Sequence, residues 1–327
     1  MINEITVSVV IPTYRRLDIL IKCLQGVYAM HQHPDQILVV YRPDDDPETS
    51  QWLDEVARPT YKSLQLIPVF EPGVIAALNA GLAAAVYEII AIFDDDAVPH
   101  SDWLNKIVPQ FCDIHVGAAG GRDLVHGHPP IKETTQAGNF DFWGNVIGNH
   151  HIVVGESREV ETVKGCNWAL RRSAVGTLRF DERLLGKGAQ VANELWFCLN
   201  LRHQGWKIIL DPTAIVDHYP AQQFDHGRNI WSKQKCYEHM CNTTATQLAY
   251  YSWHLKLRYI IFHVFIGYRH CPGVYYLLHG LLKRPRLLPG IISGGWLGFF
   301  RGWQLSNQFK HNPPGLPTSP INGSRAC

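Results

Sequence analysis

The sequence predicts an α/β fold: a mostly parallel sheet flanked by helices, followed by a helical C-terminal extension. Two observations carry this. Strand-like and helix-like runs alternate four times before residue 94, the pattern of parallel strands joined by crossover helices. Charge and composition then change beyond Glu238. The 327 residues suit one catalytic domain over 1–240, an extension over 241–303 and a polar, Pro-rich disordered tail over 304–327.

Ile5 to Ile11 (ITVSVVI) is a β-branched run closed by Pro12, the signature of a buried strand. Leu17 to Met30 has helical spacing at Leu17, Leu20, Ile21, Leu24 and Val27. Gln36–Tyr41, Leu64–Phe70 and Glu88–Phe93 read as further strands, and 47–57 and 72–86 as helices. Pro72 stands near a first turn, where its missing N–H costs nothing. Ser101 is the expected cap of a helix over 102–111. Residues 122–160 read as loops or a hairpin, 193–204 as a helix ended by Gly205, and 206–210 and 214–216 as two short strands.

Charge narrows the partners. After Glu238 there is no Asp or Glu but nine Lys or Arg, so a balance of −8 in the first part faces +9 in the rest. The basic part is also rich in Leu, Ile, Phe, Tyr and Trp, which points to anionic lipid headgroups rather than nucleic acid. Its apolar stretches, Tyr259–Tyr268, Cys271–Leu282 and Leu287–Phe300, are each shorter than a membrane span requires. In-plane helices or a re-entrant hairpin are expected. The eight scattered cysteines form no CxxC pair, and the opening residues look like no secretory leader. With the basic, apolar tail, these features predict a cytoplasmic protein, peripheral or monotopic at the cytoplasmic face of a membrane.

Chemistry concentrates at Asp94-Asp95-Asp96, at the end of the fourth strand, where α/β sheets bind ligands. A divalent cation shared with a pyrophosphate needs only one or two protein carboxylates, and the alternate pair Asp94 and Asp96 has that spacing. Departure of a nucleoside diphosphate is eased by such a cation, and an attacking hydroxyl needs a carboxylate base. Glu194, at the start of the 193–204 helix, is the base candidate, although a carboxylate there also complements the helix dipole.

The motifs, taken in order, resemble those of the inverting family 2 glycosyltransferases, whose fold is the nucleotide-diphospho-sugar transferase (GT-A) fold. The run from Val7 to Arg16 (VSVVIPTYRR) is similar to that family's opening strand and donor loop. Asn79-Ala80-Gly81 resembles its Asn-x-Gly helix motif, and the run from Ala91 to Pro99 (AIFDDDAVP) its DxD segment. Residues 164–172 (KGCNWALRR) resemble the acceptor segment, the stretch from Asn193 to Trp206 the segment carrying the base, and Asp217-His218 the place of a diphosphate or metal histidine. The resemblance covers residues 5–220. It implies a nucleotide-diphosphate sugar held by Pro12, Thr13, Tyr14, Arg15, Arg42, Asp44, Asn79, Asp94 and Asp95. It implies Mg²⁺ or Mn²⁺ on Asp94, Asp96 and His218, and a saccharide or lipid-linked saccharide near Gly165, Asn167 and Trp168. Trp143 and Trp168 are candidates to stack on a sugar face or to fill the core, and His226 and Arg228 to close over the diphosphate. The sequence departs from the family at the turn after the second strand, where the family's acids fall on Tyr41 and Arg42. It departs again at Leu78, which replaces an Arg, and at Asn193-Glu194, which replaces a Glu-Asp pair. Two other readings are a sugar nucleotidyltransferase, which wants a Gly-rich loop that Pro12–Arg15 lacks, and an inactive membrane-bound scaffold.

Overall fold

The computed structural model describes residues 5–127, 132–186, 188–220, 232–268, 271–283 and 289–311. Nine strands form the main sheet: β1 Val7–Pro12, β2 Gln36–Tyr41, β3 Leu64–Pro68, β4 Ile89–Phe93, β5 Ala97–Pro99, β6 Val116–Val125, β7 Arg158–Val160, β8 Asn167–Arg171 and β9 Lys207–His218. Their order is β3-β2-β1-β4-β8-β6-β9-β5, with β7 also paired to β9.

The first four strands are parallel, as the βα alternation predicts. Every residue of β1, β2 and β4 is buried, because helices cover both faces. Side chains alternate between two cores: Val10, Leu38 and Ile92 enter one, and Val9, Ile11, Val39 and Phe93 the other. Gly81 lets helix Val74–Ala84 press on the sheet, since a Cβ there would collide with Val10.

Beyond β4 the sheet becomes mixed, and this positions the site. β8 runs antiparallel to β4, so its first residue, Asn167, stands beside the last residue of β4, Phe93. The segment preceding β8 therefore arrives at the same sheet edge as Asp94–Asp96. β9 ends there too: His218 pairs with Ala97, and Tyr219 N–H donates to Asp96 O at 2.8 Å.

Several expected boundaries move. The two short runs around Asp211-Pro212 are one strand, β9, with a register irregularity against Gly120–Arg122 that accommodates the missing proline N–H. Helix Trp103–Ile107 takes Asp102, not Ser101, as its N-cap residue and continues as a 3₁₀ turn over Val108–Cys112. Strand β6 reaches into the stretch expected to be irregular.

The C-terminal region is not a separate body. Helix Lys233–Tyr250 runs across the expected boundary at residue 240, and Ala245, Ala249 and Phe309 share a core with Trp168 and Phe197. Helix Pro289–His311 includes residues 304–311, expected to be disordered, because Leu305 and Phe309 pack inward. It lies along Lys233–Tyr250 through glycines at a spacing of four: a Cβ on Gly294, Gly298 or Gly302 would strike the backbone of Lys233, Tyr237 or Cys241. No described helix is long and apolar enough to cross a membrane.

Candidate active site

A cavity of about 340 Å³ opens where β1 and β4 end, β8 begins and helix Asn193–His203 starts. Of the residues singled out in the sequence, Pro12, Thr13, Tyr14, Arg42, Asp94, Asp96, Gly165, Trp168 and Glu194 line it. Arg16, Lys164 and Cys166, to which the sequence assigns no role, line it as well.

Asp94 and Asp96 face this space while Asp95 does not. Asp95 is fully buried beneath the donor loop, accepting from Thr13 Oγ1 at 2.8 Å and pairing with Arg16 at 2.8 Å. Burial pushes its carboxyl up to about 7 against the pull of Arg16. Its position makes it the anchor of the loop rather than a donor contact. Burial and then the neighbouring Asp96 raise the Asp94 carboxyl.

His218 stands behind Asp96, with Nε2 3.3 Å from Asp96 Oδ1 and Nδ1 3.3 Å from Asp123 Oδ2. Burial opposes its protonation, but hydrogen bonds to Asp123 and Asp96 outweigh that and push it up to about 11. Asp123, on β6, also holds Lys164. Neither Asp123 nor Lys164 belongs to a cluster visible in the sequence; the mixed sheet brings them together.

The residues fit a divalent cation. His218 Nε2 is buried beside Asp96 Oδ1, and the Asp96 carboxylate disfavours charge on Asp94. Two oxygen donors and one imidazole suit Mg²⁺ or Mn²⁺, which would displace the proton that Asp123 and Asp96 hold on the ring. Asp123, Cys166 and His218 also place ligand atoms within 4.8 Å of one another. The Lys164 ammonium on Asp123 makes that inner trio a poorer cation site than the cavity side.

At the far end of the cavity Tyr14 is enclosed by cations. The Arg42 and Arg15 guanidinium carbons lie 4.9 and 5.1 Å from its ring centre. Its hydroxyl donates to Asp45 at 3.1 Å, and Arg42 reaches the same carboxylate at 2.7 Å. Asp45, not the exposed Asp44, is thus the carboxylate that Tyr14 and Arg42 hold; adjacent aspartates are indistinguishable by pattern alone. Arg15 takes a left-handed φ of 54°, letting its N–H reach Asp46 at 2.5 Å.

Two residues expected at the ligands do other work. Asn79 clamps the peptide of Phe180, accepting from its N–H at 2.8 Å and donating to its carbonyl at 3.0 Å. Asn79→Ala is expected to lower stability by about 1–3 kcal/mol, measurable by urea unfolding, with nucleotide affinity unchanged. Asn167 is buried, accepting from Trp103 Nε1 at 2.7 Å and donating to Arg122 O at 2.9 Å. Trp168 does reach the cavity, and its buried Nε1 has no hydrogen-bond partner among the described residues. Trp143 instead packs near Phe262. His226 and Arg228, candidates to close over a diphosphate, lie outside the described residues.

Glu194 sits in the first turn of helix Asn193–His203, beyond Ala192 with φ 73°. That left-handed turn costs an alanine roughly 1 kcal/mol and aims the helix start at the cavity. Burial and then Asp94 raise the Glu194 carboxyl above its ordinary range.

Likeness to known proteins agrees with this geometry. The chain is 27% identical over 170 residues to the pre-mycofactocin glycosyltransferase of Mycobacterium tuberculosis, covering 50% of this chain and 33% of that protein. It is 31% identical over 121 residues to glycosyltransferase AglE of Haloferax volcanii, covering 35% and 38%. The alignments thus span only 33% and 38% of these relatives' own lengths. GalNAc-T7, solved with UDP, GalNAc and Mn²⁺, superposes with a TM-score of 0.59 at 13% identity, covering 88% of this chain and 59% of that one. S. aureus TarS residues 1–349, solved with UDP-GlcNAc, gives 0.57 at 12% identity, covering 94% and 91%. These two likenesses show a GT-A fold. Residues 8–179, more than half of the chain, match the model of glycosyl transferase family 2, and the chain belongs to that family.

Proposed function

We propose that the chain transfers a sugar, with inversion, from a nucleotide-diphosphate donor to a saccharide or lipid-linked saccharide. The observation that carries this reading is that Asp94, Asp96 and Glu194 open onto one cavity whose walls also present Arg16, Arg42 and Lys164. Paired carboxylates, a separate base and cations for phosphate are the groups such a displacement needs.

Each residue has a task. Tyr14 and Arg42 receive the nucleobase end, with Asp45 fixing both from behind. Lys164 offsets phosphate charge, its ammonium fixed by Asp123. Asp94, Asp96 and His218 would hold Mg²⁺ or Mn²⁺, which when bound supplies charge stabilisation for the departing diphosphate. Glu194 takes the proton of the acceptor hydroxyl as its oxygen attacks the sugar carbon. One displacement with one base inverts the configuration. Trp168, buried edge-to-face against Phe180 and Phe197, backs the acceptor space from the core.

Binding tests the reading first. Uridine and guanosine diphosphates, each with and without Mn²⁺, are to be screened by thermal shift. A diphosphate at about 100 times its dissociation constant adds about 2.7 kcal/mol to native stability. A clear rise for one nucleotide, enlarged by Mn²⁺, is the expected result; no rise with either would remove the basis for the donor. Pyrophosphate release from a nucleoside triphosphate would favour the nucleotidyltransferase reading instead.

A further inference from the structure

We propose that the C-terminal helices dock in the plane of an anionic bilayer, with helices Trp253–Ile261 and Val274–Lys283 and the outer side of Pro289–His311 as the contact surface. The docking does not depend on the transfer reading.

Large apolar side chains exposed singly are ordinary on any protein surface. Here they are concentrated: ten of the seventeen such side chains among the described residues fall between Trp253 and Trp303. Trp253, Leu257, Ile261 and Phe265 recur every four residues, the repeat of one helix face, and Trp253 is 76% exposed. Tyr275 and Leu278, at 63% and 60%, continue the surface on the next helix, and Phe300 and Trp303 on the last.

These helices are neighbours, not separate arms. Tyr259 and His263 stack on Phe299, and Trp296 donates to Pro272 O at 3.2 Å. Their inner sides form one aromatic core. The apolar side chains left outside are therefore not spare core awaiting a partner helix of this chain among the described residues.

Charge selects the occupant. This part of the chain has no acidic residue, and nine Lys or Arg accompany its apolar side chains. Lys256 is only partly buried, and burial and then nearby Lys310 disfavour its ammonium. A second copy docked on the same face would set cations against cations. An anionic headgroup layer accepts the basic groups while its acyl boundary accepts Trp, Phe and Leu. No described helix is both long and apolar enough to span, which favours helices lying in the interface.

The helical unit also packs on the helix whose start enters the candidate active site. Leu195 and Leu199, on the helix that carries Glu194, share a core with Met240, Tyr251 and Tyr259. Docking thus holds the base-bearing helix close to the lipid surface. On the transfer reading, this favours an acceptor anchored in that surface.

The test is flotation of the full chain, without nucleotide, on phosphatidylcholine vesicles with and without about 30% phosphatidylglycerol. Binding is expected only to the anionic vesicles, and is expected to fall several-fold as salt rises from about 0.1 to 0.5 M. The triple variant Trp253→Ser/Leu257→Ser/Phe265→Ser is expected to lose at least tenfold in vesicle-bound fraction. Its melting temperature should be unchanged, since all three side chains are exposed. No flotation of the native chain, or undiminished flotation of the variant, overturns the proposal. So does a native dimer that the variant converts to monomer with no lipid bound, which would assign the face to a second copy. None of these outcomes depends on sugar transfer.

Discussion

Replacing Asp96 by alanine is expected to lower transfer by about a hundredfold or more while circular dichroism and thermal unfolding remain cooperative. Asp96 is nearly inaccessible yet faces the cavity, and its carboxylate lies 3.3 Å from His218 and 3.5 Å from Arg16. Removing it leaves those cations without their shared counterion and takes one oxygen from the donor set. Asp96→Asn keeps the shape but not the charge, so it separates the two effects. If charge is what matters, the amide variant should be nearly as impaired as alanine. Chelation of divalent ions should impair the native enzyme to a similar degree and add little to either variant. Full turnover by Asp96→Ala would end the assignment of this pair to a cation.

Much of this arrangement is legible in the sequence because it is local. β1, β2 and β4 announce themselves through β-branched runs, and ligands in α/β sheets collect at strand ends, so the acidic triplet can be placed from the amino-acid order alone. The role of each aspartate within the triplet is less accessible. Asp95 turns under the loop to Thr13 and Arg16, and only the side-chain alternation at a strand end, read with the correct phase, separates it from its neighbours. Asp44 and Asp45 present the same difficulty, compounded by a tight turn in which Arg15 and Asp46 fix the backbone.

What is not legible is non-local. Asp123 and Lys164 are 41 residues apart, and each meets His218 or the cavity only because β8 enters antiparallel between β4 and β6. Asn79 shows the opposite failure. Its motif points to the donor, but a helix packed on the sheet sends its amide to the Phe180 peptide. The expected boundary at residue 240 cuts a helix that shares its core with the catalytic body, because composition records charge and not packing.

Glu194→Gln is the second large effect, and it should move activity and stability in opposite directions. Loss of a general base costs about 10²–10⁴ in rate, so transfer should fall by that order with little change in nucleotide affinity. Burial and Asp94 raise the Glu194 carboxyl above its unfolded value, so the folded state holds its proton more tightly than the unfolded chain does. The stability this contributes is fully present below the unfolded value and is lost as pH rises through the folded one. At neutral pH the native enzyme therefore carries an unfavourable buried charge that glutamine does not. In metal-free buffer, Glu194→Gln should melt higher than the native enzyme near neutral pH, and the difference should vanish in acid, where both side chains are neutral. Native activity should fall as pH drops through the raised value, because the base must be ionised to accept a proton. A variant with native stability at every pH and a hundredfold loss of rate would leave Glu194 catalytic but not desolvated. A stabilised variant with full activity would make it a buried carboxylate with no part in the reaction. Only the paired result, slower and more stable, marks a base whose ionisation is held in the fold at the expense of stability.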